Sequence, residues 1–300
     1  MATPGYIDLP SSNHFTFEYN NQLNSDIARA IGKALLDTAE QNFNTLSSWF
    51  GGVIPTGTPF LVKINLGGGG GSNDNIKNIN LTVGATTNFN YCRFVLVAEV
   101  SEIFMRAAGS HWHSGDSSGE GLSQLTAFML YPDQVGVLNG PEVWLNTSIN
   151  PSPEKPARPD FVAKTEPSDN NFVSFGCALL FLYYLRSQLG FNISPIIRAA
   201  ADSLEGVYIN LTQDSKPFQN FSPFQKFMGI IEKRFPLGKA ADISGSTDPF
   251  PLPAVGRLSA KHFLTKNEMD LKLLGQTIRA NRYLGNLRAL LNSDRRASLA

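Results

Sequence analysis

The sequence predicts an α+β fold: a small β-sheet, then a mainly helical body, with a helical C-terminal appendage. Three observations predict it. Residues 60–66 and 78–83 alternate apolar and polar side chains, the period-two pattern of half-buried strands. Residues 92–108 and 174–190 are strongly apolar stretches of helical length. Residues 242–256 interrupt the chain with Pro249, Pro251 and Pro253, and a segment of different composition follows. The expected organisation is an N-terminal arm over 1–22, a body over 23–241, a Pro-rich linker over 242–256 and a basic amphipathic helical tail over 257–300.

Each element has its own reason. Residues 1–22 are polar and contain proline, which suits an arm or irregular strand. Ile27, Ala30, Ile31, Ala34, Leu35, Thr38, Phe43, Leu46 and Trp49 recur at helical spacing, with Ser25 or Asp26 placed to cap the helix and Gly51-Gly52 to end it. Pro59 and the glycine run 67–71 bound the first strand. That run lacks the Gly-Lys-Ser/Thr ending of a phosphate loop, so it reads as a flexible hairpin connection to the strand at 78–83. After the helix over 92–108, a polar loop from Gly109 to Ser118 carries His111, Trp112 and His113. A helix opens near Gly119 and runs to about Leu130. Residues 139–172 read as a Pro- and Asn-rich loop, residues 174–190 as a buried helix, and two shorter helices are expected, one over 194–201 with an extension to Leu204 as the alternative, the other over 223–235.

Lys plus Arg and Asp plus Glu are equal at 25 each, which argues against a nucleic-acid binder, since such proteins show a basic excess. Two cysteines, Cys92 and Cys177, are too few for a disulfide scaffold or a four-cysteine zinc site; both sit in apolar runs as buried thiols would, with a single bridge between them the alternative. No apolar stretch approaches the roughly 20 residues of a membrane span, and the N-terminus lacks the basic and apolar regions of a signal peptide. The chain is therefore expected to be soluble, and cytoplasmic or exported without a standard signal. The 257–296 segment holds nine Lys/Arg and three acids along a leucine face. It can complete the acidic body or dock on a partner or another subunit.

Chemistry concentrates in residues 94–123. Glu99 and Glu102 lie in a helix apolar enough to bury most of its circumference, and an unpaired buried carboxylate is costly. One explanation is local: Glu102 and Arg106 stand in the favourable i,i+4 orientation on a polar stripe. The other is that these carboxylates belong to a site.

Ala98-Glu99-Val100-Ser101-Glu102 followed by Ser118-Gly119-Glu120-Gly121-Leu122-Ser123 resembles the two helix motifs of gluzincin-type (zincin-like) zinc metallopeptidases. These carry His-Glu-x-x-His on one helix and the third ligand at the start of the next. Seventeen residues separate Glu102 from Glu120, close to the family gap, and the Phe175–Leu182 run is similar to the helix that packs behind the site in bacterial members. The resemblance covers residues 60–235 by order of elements and is specific over about 30 residues. It implies that Glu99 stands at the general-base position and Glu120 at the third-ligand position. Ala98 and Glu102 replace both imidazoles, so the motif is degenerate.

Three readings follow. The protein is a pseudo-peptidase that acts by binding a protein or peptide, or by scaffolding an assembly. Or Glu99, Glu102 and Glu120 bind a hard cation such as calcium. Or His111 and His113 fold back to rebuild a zinc site with Glu102 and Glu120, giving an active hydrolase. Zinc, calcium and no metal are thus all compatible with the sequence. Trp112, Tyr183 and Tyr184 are the aromatic candidates for contact with a ligand.

Overall fold

The computed structural model describes residues 2–84, 88–137, 139–154, 156–213 and 221–243. The linker beyond residue 243 and the whole 257–300 tail lie outside the described residues. The described residues contain five strands and eight α-helices, and the fold is α+β.

The sheet has the order β1-β2-β3-β5-β4. β1 (Tyr6–Asp8) pairs antiparallel with β2 (Phe15–Asn20), which runs parallel to β3 (Phe60–Leu66). β3 is parallel to β5 (Asn78–Val83), and β4 (Gly71–Asn73) closes the edge antiparallel to β5. The segment expected as an arm therefore supplies two strands. Phe15, Phe17 and Tyr19 are buried on the same period-two pattern as Phe60, Val62 and Ile64, and that apolar face, not the polar flanks, decides where the segment goes. The glycine run is corrected too. β3 and β5 are parallel, so no hairpin can join them directly. Instead the glycines carry the chain out to β4, and β5 inserts between.

α1 (Ser25–Trp49) crosses from β2 to β3. Its N-cap is Asn24, whose side chain accepts from the backbone N–H groups of Asp26 and Ile27, and not Ser25 or Asp26. Phe43 of α1 meets Phe15 and Phe60 of the sheet and Phe104 of α2 (Phe89–Ala107), with ring centroids 5.2 to 6.1 Å apart. Offset and edge-on rings at this spacing are the favoured aromatic geometry.

α3 (Ser117–Leu130) packs on α2 and on α5 (Phe172–Ser187), and α5 in turn packs on α4 (Asn139–Asn146). α5 is buried on nearly every side, as its unbroken apolar sequence predicts. Gly121 lets α3 approach it: a Cβ there would lie 2.9 Å from that of Ala178. α4 falls inside the region read as loop. Eight residues beginning Asn-Gly-Pro carry little helical signal, and Trp144 and Leu145, both fully buried, hold the helix in place. The helix expected over 194–201, or as far as Leu204, ends at Arg198 as α6 (Ile193–Arg198), and α7 (Leu204–Thr212), capped by Ser203, is a separate helix. α8 (Pro223–Arg234) opens with a Ser222–Gln225 capping box. Cys92 and Cys177 are buried free thiols. No helix among the described residues is long and apolar enough to cross a membrane.

Candidate functional site

Glu99, Glu102 and Glu120 meet where α2, α3 and the edge strand β4 converge. α2 presents Glu99 and Glu102 one turn apart. α3 presents Glu120 from its first turn, and that turn is fixed by Asp116, whose Oδ1 accepts from the N–H groups of Ser118 (3.0 Å) and Gly119 (2.8 Å). β4 brings Asn73. Its Nδ2 donates to Glu99 Oε2 at 2.8 Å and to Glu102 Oε2 at 2.7 Å, so a single amide bridges both carboxyls. β4 runs close enough that a Cβ on Gly71 would fall 2.5 Å from Glu99 Oε1, so only glycine fits there without displacing the carboxyl.

Glu120 is held by its own helix. Gln124 Nε2 donates to Glu120 Oε1, and Ser123 Oγ lies 3.4 Å from Glu120 Oε2. Glu102 and Glu120 share a hydrogen bond that raises the proton affinity of Glu102 and lowers that of Glu120. Burial is the leading cause of the raised proton affinity at all three. It lifts Glu99 to about 7, assisted by the charges of Glu120 and Asp169 and opposed by Asn73. It lifts Glu102 to about 10, assisted by the charges of Glu99 and Glu120. It also raises Glu120, against the hydrogen bonds of Gln124, Glu102 and Ser123. Each side chain nevertheless keeps partial access to solvent.

Arg106 plays no part. It is exposed one turn on, and no ion pair joins it to Glu102 among the described residues. The local i,i+4 explanation is overturned because Asn73 and Glu120 engage the Glu102 carboxyl instead.

The remaining candidates lie elsewhere. His111 and His113 are exposed, and His111 Nδ1 contacts Asp202 Oδ1 at 2.7 Å. Trp112 is buried, its Nε1 donating to the Ile197 carbonyl at 2.8 Å. Tyr184 is buried between Phe181 and Phe227, where burial raises the phenol strongly. Tyr183 packs edge-on against Phe128 of α3, centroids 5.4 Å apart. Trp112 and Tyr184 are thus core residues and offer no surface to a ligand.

No protein-family model matches the chain, and no curated protein matches it.

The cluster does not fit zinc. Ala98 offers no donor atom, and no imidazole approaches. Among the described residues no three His, Cys, Asp or Glu side chains are arranged to hold a metal ion. The amide orientations oppose a cation more generally. Asn73 and Gln124 both turn N–H groups, the positive ends of their dipoles, toward the carboxyls, whereas a cation recruits amide oxygens. Neither amide was singled out in the sequence. Gln124 could have been found, since it stands i+4 from Glu120 on one helix face. Asn73 sits in an Asn-rich stretch that gives no such signal.

Proposed function

We propose that this protein is a metallopeptidase-like pseudo-peptidase that acts by binding a peptide-like segment, its former metal position now filled by hydrogen-bonded carboxyl groups. One observation carries the reading. Every carboxyl of the cluster is engaged by a protein donor, through Asn73, Gln124 or the proton shared by Glu102 and Glu120. Donors aimed at the carboxyls take positions that a bound cation would otherwise occupy. The edge strand supports a peptide as ligand. Among the described residues β4 is paired only on its β5 side, and an extended segment can add to such an edge through main-chain hydrogen bonds. A segment added there would run beside Glu99.

A second reading, hydrolysis, draws on Glu99 alone. A carboxylate titrating at about 7 is suited to general-base work. One experiment separates the two. The full chain is assayed for metal by elemental mass spectrometry, as purified and after incubation with zinc or calcium, and a random peptide library is panned on it. Binding predicts no stoichiometric metal, and enriched peptides that remain uncleaved and bind Gly71→Val at least about tenfold more weakly. One zinc per chain, with peptide hydrolysis lost in Glu99→Gln, overturns the binding reading in favour of hydrolysis.

A further inference from the structure

The last described residues of the chain are clamped onto α4. The Asn146 side chain donates to the Ala241 carbonyl at 2.9 Å and accepts from the Ala241 N–H at 2.7 Å, supplying both bonds of a β-bridge from a single amide. One turn earlier, Glu142 Oε2 accepts from the Ile243 N–H at 3.3 Å. Ala241 and Ile243 are both buried. The Pro-rich linker expected from residue 242 thus begins on the body.

Glu142 and Asn146 also line an open depression of about 600 Å³, together with Val143, Thr147 and Phe172. Its apolar residues are poorly covered among the described residues: Val143 is 40% and Phe172 48% exposed. The chain therefore leaves Ile243 at the rim of an apolar depression formed by the same helix that holds it.

The sequence that follows fits this surface. Asp248-Pro249-Phe250-Pro251-Leu252 carries two large apolar side chains between prolines. Proline restricts its own backbone and that of the preceding residue to extended conformations, so docking costs little additional chain entropy. The seven residues from Ile243 to Phe250 can span up to roughly 23 Å, which is ample for a depression that starts at Glu142. A segment tethered this closely has an effective concentration on the order of millimolar, an advantage no free peptide shares.

We propose that residues 248–252 of the same chain continue along α4 and seat Phe250 and Leu252 in the depression against Val143 and Phe172. The segment completes the body, and α4 is its docking rail.

The test uses the full chain carrying Val143→Cys. Cys92 and Cys177 are buried, and burial pushes both thiols up, Cys92 to about 11, so the introduced thiol is the reactive one. Alkylation of that thiol by iodoacetamide is timed with and without Phe250→Asp/Leu252→Asp. Docking predicts about tenfold faster alkylation when the two apolar side chains are replaced, and an intermediate rate for Phe250→Ser, the milder change. It also predicts rates that do not depend on protein concentration. Equal rates in all three chains overturn the proposal. Protection that grows with protein concentration also overturns it, in favour of a second copy as the occupant. Circular dichroism confirms that the variants share one fold.

Discussion

Two carboxyl environments meet at the end of β4, one residue apart along the chain, and they respond to burial in opposite ways. Asp74 is exposed and gathers donors. Its Oδ1 accepts from the N–H groups of Ile76, Lys77 and Asn78, and its Oδ2 from the Asn78 amide. Burial works to raise its proton affinity, but the donors outweigh it and hold the carboxyl at about 2. Next to it, Asn73 offers one amide to two carboxyls of α2, with Glu120 close behind. There burial prevails, and Glu102 rises to about 10. What separates the two is the depth of burial together with the number of donors per carboxyl, not the presence of hydrogen bonds. A turn of backbone N–H groups stabilises charge, whereas a seam between helices, whose own N–H groups are committed, stabilises protons.

The largest expected effect comes from breaking the bridge. Asn73→Asp removes the donor common to Glu99 and Glu102 and adds a fourth carboxyl to the seam. We expect a loss of about 2–4 kcal/mol in urea unfolding at pH 8, the range for disrupting a buried polar network. The loss should be smaller near pH 5, where the added carboxyl can share a proton. A loss no greater at pH 8 than at pH 5 would show that the seam does not hold protons.

Much of the fold was legible because it follows from local periodicity. The alternation at 60–66 and 78–83 and the apolar runs of α2 and α5 correspond to the strands and helices seen. What escaped depended on distant contacts. β2 alternates as clearly as β3, but its polar neighbours hid it, and pairing with β3 across α1 settles its role. The site divides in the same way. Glu99 and Glu102 stood out as carboxylates in an apolar helix. The partner of Glu102 did not, because Arg106 is near in sequence whereas Asn73 and Glu120 arrive from β4 and α3. Helical spacing states which residues can meet on one face and says nothing of a neighbouring element that competes for them.

A medium effect follows from linkage. The folded-state value of Glu102 lies above its ordinary 4.5, so between that pH and about 10 the folded chain holds a proton that the unfolded chain releases. Stability from the seam therefore falls as pH rises, most steeply below about 7, where Glu99 also holds a proton that the unfolded chain releases. Asp74 has the opposite sign: its contribution is present above its ordinary 3.8 and is lost as pH falls toward 2. Melting temperature should accordingly decline from about pH 5 to pH 8. Glu102→Gln retains a donor toward Glu120 without a proton to lose. It should gain about 1 kcal/mol at pH 8, after allowance for partial exposure, and nothing near pH 5. A wild-type profile that is flat over this range, or a variant that is equally stabilised at both ends, would contradict the assignment of the proton to Glu102.

The smallest effect expected, from His111→Ala/His113→Ala, tests the boundary of the seam. The His111–Asp202 pair is exposed, with 64% and 90% of the two side chains accessible. Water screens such a pair, and holding both side chains in one geometry costs entropy, so the double substitution should change stability by less than about 0.5 kcal/mol. It should also leave the pH profile unaltered, because neither histidine is among the groups that set the proton affinity of Glu99, Glu102 or Glu120. The profile is the sharper readout. A histidine that folded back onto the seam would bring positive charge to it at acid pH and a metal-binding nitrogen at neutral pH, and its removal would shift the decline and lower any zinc uptake. An unchanged profile leaves the three carboxyls, with Asn73, Ser123, Gln124 and the charge of Asp169, as the groups that determine where the seam keeps its protons.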